Sequence, residues 1–264
     1  MTETTTQPAP DLTDGEADRL RRLNLIFGLV HLASGVLMVA LANDFSLPVT
    51  TTYLDDIPGG DVDPERLENQ FDVRLGWATA KFLFLSAFFH LLIVSPLGAA
   101  RYRREIANGR NRFRWVEYSL SSTLMIVLIA MLVGVSDLAA LIAIGGVNAA
   151  MILFGWIMEV VNDLDDDRPV WWTPFWFGCV AGVVPWVAVG AYLFGPGSDV
   201  PNFVYGIYVS IFLFFNVFAL NQYLQYRRVG KWADYVHGER AYIWLSITAK
   251  SALAWQIYGN TLAG

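Results

Sequence analysis

The sequence predicts an all-α membrane protein, a bundle of seven transmembrane helices with a short β-hairpin in the first outer loop. Two features of composition and arrangement lead to this fold class. Of the 264 residues, 55% are hydrophobic and 16% are charged, whereas soluble domains average about 45–50% and about 25%. The apolar residues form seven long blocks, and the basic residues are concentrated in alternate connections between them.

Each apolar block is long enough to cross a bilayer, because a hydrocarbon core about 30 Å thick requires roughly 20 helical residues. The predicted spans are 23–42, 77–96, 115–135, 138–158, 174–194, 203–224 and 241–261. The short turn 134–137 predicts a tight helical hairpin from the third and fourth spans. Pro185 in the fifth span predicts a kink that neighbouring helices accommodate. Residues 1–18 are polar and predict a flexible tail before a seven-helix domain, 19–264.

The basic residues predict the orientation of the bundle. With the N-terminus in the cytoplasm, 14 of the 18 Lys and Arg residues fall in inner segments and only two, Arg66 and Arg74, in outer ones. This distribution follows the positive-inside rule. We therefore predict a multi-pass protein of the cell membrane with a cytoplasmic N-terminus and an extracellular C-terminus. The net charge of −6 gives no indication of a nucleic-acid partner.

The longest connection, about 43–76, is then extracellular and acidic. Its β-favouring stretch 49–53 is followed by the turn Pro58-Gly59-Gly60, which together predict a short hairpin. Connections of this length are more often functional or contact-making than idle.

Lys250 lies deep in the last span. It comes ten residues after Arg240, which places it about 15 Å along the helix. Removal from water disfavours the charged ammonium, and a neutral amine is a nucleophile that can condense with an aldehyde. The alternative is a buried lysine paired with an acid in a transporter. Lys81, about one turn inside the second span, can instead reach the surface by snorkelling.

Glu117 is the acidic residue best placed to balance Lys250. A buried cation, such as a protonated Schiff base on this lysine, requires an anion nearby. No other acid lies as deep in the predicted spans, since Glu159 is near an inner end. The alternative is an interfacial glutamate paired with Arg114, which falls on the same helix face, as does Ser121. Charge balance favours Glu117 as the counterion.

Two histidines, His31 and His90, lie near the middle of the first and second spans. Buried neutral histidines that hydrogen-bond across helices are the common case, but imidazole also exchanges protons near neutral pH and suits a proton acceptor beside a Schiff base. Two histidines without further acids do not make a metal site, and none is predicted. Bulky aromatic side chains interleaved with glycines in spans four to six predict a flat apolar slot.

Several stretches of the chain resemble the heliorhodopsins, a branch of the microbial rhodopsins. The stretches are Phe113–Ser122, Gly146–Trp156, Pro174–Cys179, Gln222–Tyr226, Gly238–Tyr242 and Ala249–Gln256. They are spread over nearly the whole chain after residue 20, and they are longer and more specific than a generic seven-helix pattern.

The resemblance implies a rhodopsin-like bundle that holds all-trans retinal as a Schiff base on Lys250, with Glu117 as its counterion. Ser246, one turn before the lysine, stands where typical microbial rhodopsins place a second carboxylate. His31 and His90 would belong to a polar cluster that accepts the Schiff-base proton. The further pocket residues that the resemblance implies are Met151, Gly155, Trp176, Pro185, Trp186, Phe215 and Gln222.

The first functional hypothesis is a light sensor, not an enzyme, in which retinal photoisomerisation moves the Schiff-base proton and shifts helices to signal an unidentified cytoplasmic or membrane partner. Ion pumping is not expected, because no second deep carboxylate offers a relay from Lys250. The resemblance also implies a homodimer in which the first outer loop helps to cover the partner, and membrane lipid surrounds the bundle. Two alternatives stay open: a light-gated or light-driven ion or proton transporter, and a retinal-free transporter that uses the lysine.

Overall fold

A computed structural model of the protein describes residues 12–53, 67–162, 168–197 and 199–262. Eight α-helices and two strands lie within these residues. In chain order they are α1 (Asp14–Leu41), β1 (Ser46–Thr51), β2 (Glu68–Arg74), α2 (Leu75–Val94), α3 (Ala99–Ala107), α4 (Arg112–Leu132), α5 (Leu138–Val161), α6 (Thr173–Leu193), α7 (Asn202–Tyr226) and α8 (Tyr235–Ile257). The predicted helical membrane fold with its small hairpin is confirmed.

The seven long helices follow the seven predicted spans. Six of them, α1, α2, α4, α5, α6 and α7, are long and apolar enough to cross a membrane. The seventh predicted span, 241–261, corresponds to α8, which begins earlier, at Tyr235, and carries Glu239, Arg240 and Lys250. Helix α8 is not among the six apolar helices. The short helix α3 was not predicted and lies between α2 and α4.

Polar side chains set the points at which several helices begin. Helix α1 begins at Asp14, after Thr13, whose hydroxyl accepts from the backbone N–H of Glu16 at 3.3 Å. Of the predicted tail, residues 1–11 lie outside the described residues. Asn111 caps α4, since its side chain accepts from the backbone N–H of Arg114 at 3.0 Å. Such caps satisfy backbone donors that the first helical turn leaves unpaired.

The predicted hairpin of α4 and α5 turns at Gly134, whose φ of 97° is a conformation that glycine adopts at little cost. Asp137 then caps α5 by accepting from the backbone N–H of Ala140 at 2.8 Å. Strand β1 meets this turn, because the backbone N–H of Thr50 donates to Ser136 at 2.9 Å. The C-terminal end of α4 and the N-terminal end of α5 are thereby joined to the β-hairpin.

Strands β1 and β2 pair antiparallel, with Ser46 opposite Arg74 and Thr51 opposite Glu68. The register shifts between Val49 and Thr50, which marks a bulge. The predicted turn at Pro58–Gly60 lies outside the described residues.

The core of the bundle lies around α4, which is the most enclosed of the six apolar helices: 56% of its apolar window is buried, against 17% for α7. Helices α2 and α8 pack beside it through fully buried residues such as Phe82, Ile126 and Leu253. Exposed apolar residues on α6, including Val180, Val183 and Val187, recur at helical spacing. In a membrane protein such a face contacts lipid and requires no protein partner. The central helices are therefore those best shielded for polar chemistry.

Candidate functional site

Lys250 and Glu117 form a buried ion pair between α8 and α4. The lysine Nζ donates to the two carboxylate oxygens of Glu117 at 2.9 and 3.1 Å, and to the hydroxyl of Ser246 at 2.7 Å. Lys250 is 3% exposed and Glu117 is 4% exposed. Lys250 Nζ also lies 4.9 Å from the ring centroid of Tyr118. The structure thus brings together the three residues that the sequence singled out for the centre of the site.

Glu117 has a further donor that the sequence reasoning missed. The hydroxyl of Ser86 on α2 donates to Glu117 at 2.7 Å, and both side chains are buried. The alternative interpretation of Glu117, an interfacial glutamate paired with Arg114, is wrong for this structure, because the Arg114 guanidinium binds Glu159 and Glu239 instead. Glu117 is therefore held by α2 and α8 together.

An apolar cavity of about 240 Å³ extends from Lys250 between α4, α5, α6, α7 and α8. Seven of the predicted site residues line it together with Lys250: Ser121, Met151, Gly155, Trp186, Phe215, Gln222 and Ser246. Further rings that the prediction did not include also line it: Trp115, Tyr118, Phe175, Phe212, Phe218 and Tyr242. The arrangement is a slot with aromatic walls and the amine of Lys250 in its lining.

Two residues predicted for the slot are placed elsewhere. Trp176 is 56% exposed on α6 and is not part of the lining. Its neighbour in sequence, Phe175, faces the slot instead, since adjacent helical residues point in directions about 100° apart. Pro185 is buried in α6 but is likewise outside the lining, whereas Trp186 forms part of it.

Glycines shape the wall of the slot at two places. A Cβ added at Gly155 would lie 2.5 Å from a ring carbon of Trp115, and one at Gly182 would lie 2.7 Å from the sulfur of Met151. Both are closer than non-bonded atoms approach, so these glycines let large side chains lie flat against the helix backbone. Gln222 is fixed to the same wall, because its Nε2 donates to the carbonyl of Gly155 at 3.0 Å.

The two predicted histidines belong to α1 and α2, and their side chains lie together. The rings of His31 and His90 stack with centroids 5.7 Å apart. His90 Nδ1 is 2.7 Å from Oδ1 of Asn24, a residue that the sequence reasoning did not select. His31 is fully buried, and neither of its ring nitrogens has a hydrogen-bond partner among the described residues. Lys81, the other lysine in a predicted span, is exposed on α2.

A second buried charge cluster, here called the inner cluster, consists of Arg114, Glu159 and Glu239. Arg114 donates to both carboxylates, and each acid is 2% exposed. Asn111 joins them, since its backbone N–H donates to Glu159 at 3.0 Å and its side-chain amide to Glu239 at 2.7 Å. Sequence reasoning missed Glu239 because it placed the last span from residue 241 onward. The signal available was the turn of charged residues immediately before that span.

Replacing Arg114 with Met is expected to destabilise the protein by about 3–5 kcal/mol, because two buried carboxylates lose their shared cation. Thermal unfolding of the purified protein in detergent measures the effect. The triple variant Arg114→Met/Glu159→Gln/Glu239→Gln, which removes all three charges, is expected to recover much of the loss. A single variant as stable as the parent would show that the cluster contributes little.

Comparisons with known proteins bear on the fold and the family of the chain. No curated protein matches the chain in sequence. The crystal structure of xanthorhodopsin, described as a light-driven ion pump with dual chromophore, is similar in fold, with a TM-score of 0.66 and 15% sequence identity over 95% of each chain. The sequence profile of the heliorhodopsins matches residues 20–262. The chain therefore belongs to the heliorhodopsin family and is a retinal-binding, light-responsive membrane protein.

Proposed function

We propose that the protein is a light sensor in which all-trans retinal is bound to Lys250 as a Schiff base and Glu117 is the counterion. The observation that carries this proposal is the ion pair of Lys250 and Glu117, in which the lysine also lines the aromatic slot. In this proposal the protein works without ion pumping, and His31 and His90 belong to the group that takes up the Schiff-base proton.

The residues present fit retinal. A long conjugated hydrocarbon requires a narrow apolar site, and the slot is lined mainly by apolar and aromatic side chains. Lys250 lines this slot, so its amine can meet an aldehyde at the end of such a chain. Bound retinal supplies light absorption and isomerisation, whereas the protein supplies orientation and electrostatics. Trp115 and Trp186 bound the slot, and Glu117 holds the positive charge at the Lys250 nitrogen.

The packing beyond Lys250 supports a sensor more than a pump. Toward the C-terminal end of α8, the next residues that face the core are Leu253, Ala254 and Ile257, and all three are fully buried among apolar neighbours. Polar groups instead lie toward the N-terminal end of α8, where the inner cluster is found. The sequence-based argument against pumping assumed that the spans hold no second deep carboxylate. That assumption is wrong, because Glu159 and Glu239 are both buried. The apolar packing on the other side now carries that argument.

A light-gated or light-driven transporter is the competing function, and illumination of the purified, retinal-supplied protein in liposomes separates the two. We expect no sustained light-driven current and no net pH change across the membrane, because the apolar packing beyond Lys250 offers no second half of a proton path. Empty liposomes give the background, and an ionophore shows whether any signal is vectorial. Robust transport in one direction would refute the sensor proposal.

Lys250→Ala should abolish the pigment, because it removes the amine that forms the linkage. The wild-type protein expressed with all-trans retinal is expected to show a visible absorption band that hydroxylamine bleaches. Lys81→Ala is the matched control, since it removes the other lysine in a predicted span from an exposed position and should leave the band intact. A band that survives Lys250→Ala would exclude the linkage, whereas a wild-type protein that forms no band would favour a retinal-free transporter.

Glu117→Gln should shift or abolish the visible band near neutral pH, because a buried protonated Schiff base without an anion loses its proton more readily. Absorption spectra recorded across a pH titration give the pH at which the band is lost. The conservative variant Glu117→Asp keeps the negative charge and should retain the band over a wider pH range than Glu117→Gln. An unchanged spectrum in Glu117→Gln would mean that another group is the counterion.

A further inference from the structure

A small cavity joins the Lys250 site to the inner cluster. It has a volume of about 40 Å³, and its wall includes Glu117 and His90 from the first and Arg114 and Glu239 from the second. Most of the wall is apolar, but these polar side chains also line it, and a space of this volume has room for water, since one water needs about 10–15 Å³. Arg114 also has a buried Nε–H without a hydrogen-bond partner among the described residues, which indicates a missing acceptor in this region.

A series of hydrogen bonds runs beside this cavity and ends at Glu239. His90 is bound to Asn24 at 2.7 Å, the amide of Asn24 lies 3.4 Å from the hydroxyl of Tyr102, and that hydroxyl donates to Glu239 Oε1 at 3.3 Å. These residues come from α2, α1, α3 and α8. The series fixes the geometry around the cavity, and water that entered the cavity would offer a route for a proton.

The inner cluster has one negative charge in excess when both acids are ionised, because one guanidinium faces two carboxylates. The other side chains that contact these carboxylates, Asn111, Tyr102 and Tyr235 together with the indole of Trp115, are neutral donors. An excess charge buried to this degree is costly. The cluster therefore offers a favourable position for one proton.

Of the two acids, Glu239 is better placed to take that proton. Glu159 accepts from Arg114, the indole of Trp115 at 2.6 Å, Tyr235 at 3.1 Å and the backbone of Asn111, and it does not line the cavity. Glu239 lines the cavity and accepts from fewer donors than Glu159. The hydroxyl of Tyr102 is one of them, at a long 3.3 Å. Donors to a carboxylate favour its charged form, so Glu159 is the better stabilised anion.

We propose that Glu239 is the residue on which the Schiff-base proton rests after illumination. The inference relies on the proposed function, in which that proton leaves the Lys250 nitrogen. The proton crosses the cavity beside Glu117 and His90 and converts the Glu239 carboxylate to a carboxylic acid. The total charge of the two sites is unchanged: the Lys250 site becomes negative by one, and the inner cluster becomes neutral.

Light-minus-dark infrared spectra of the retinal-supplied protein test this assignment. We expect a carboxylic C=O band to appear as the Schiff base deprotonates, and Glu239→Gln to abolish it. This variant should fold, because Arg114 and Glu159 remain as a neutral pair. Glu105→Gln is the matched control: Glu105 is a buried acid that binds Arg112 outside the cavity, and its loss should leave the band in place. Tyr102→Phe should move the band to higher frequency, because the carbonyl loses a donor.

The possible failures are distinguishable. If the Schiff base deprotonates with no carboxylic band, or the band persists in Glu239→Gln, the proton rests elsewhere and only this inference is overturned. If a dark spectrum already contains a carboxylic band that Glu239→Gln removes, Glu239 is protonated before illumination and cannot be the acceptor. If the wild-type protein never forms a deprotonated Schiff base in light, the proposed proton movement itself fails.

Discussion

The buried ion pair of Lys250 and Glu117 is the constraint on which the rest of the site depends. Two charges removed from water are tolerated only with close geometry and additional hydrogen bonds, and here Ser246 and Ser86 supply them. The four residues come from α2, α4 and α8, so side chains of all three helices meet at this level. Helix α4, which carries the anion, is the most enclosed of the six apolar helices.

Helix α4 also contributes one residue to each of the two charge clusters. Arg114 and Glu117 are three residues apart and lie on neighbouring parts of one helix face, yet they do not pair. Each instead binds partners on other helices: Arg114 binds acids on α5 and α8, and Glu117 binds the lysine deeper in α8. Tyr242 lies between these levels of α8, with the Arg114 guanidinium 4.0 Å from its ring centroid. Two buried charge clusters with different net charges thus lie within two turns of α4.

The sequence predicted seven long helices, because a long apolar block has few alternatives in a membrane, but α1 and α8 begin well before the predicted spans, at Asp14 and Tyr235. It also predicted Lys250 and Glu117 as partners, since few charges lay deep in the spans. It missed Ser86 and Asn24, because a neutral polar residue in a span gives little indication of its neighbours. It misplaced Trp176, since a span sequence with apolar residues all round does not determine which face turns inward. It missed Glu239 because the predicted last span began at residue 241, whereas α8 begins at Tyr235.

The distribution of polar groups along α8 gives the site a direction. Beyond Lys250 the C-terminal half is packed with apolar side chains, whereas the N-terminal half leads through Tyr242 and Glu239 to the connection with α7. That connection is bound to both helices through Asn221, which accepts from the indole of Trp232 at 2.7 Å and donates to the carbonyl of Gly238 at 3.1 Å. Gly238 is adjacent to Glu239. A change of charge at Glu239 would therefore act next to the α7–α8 connection.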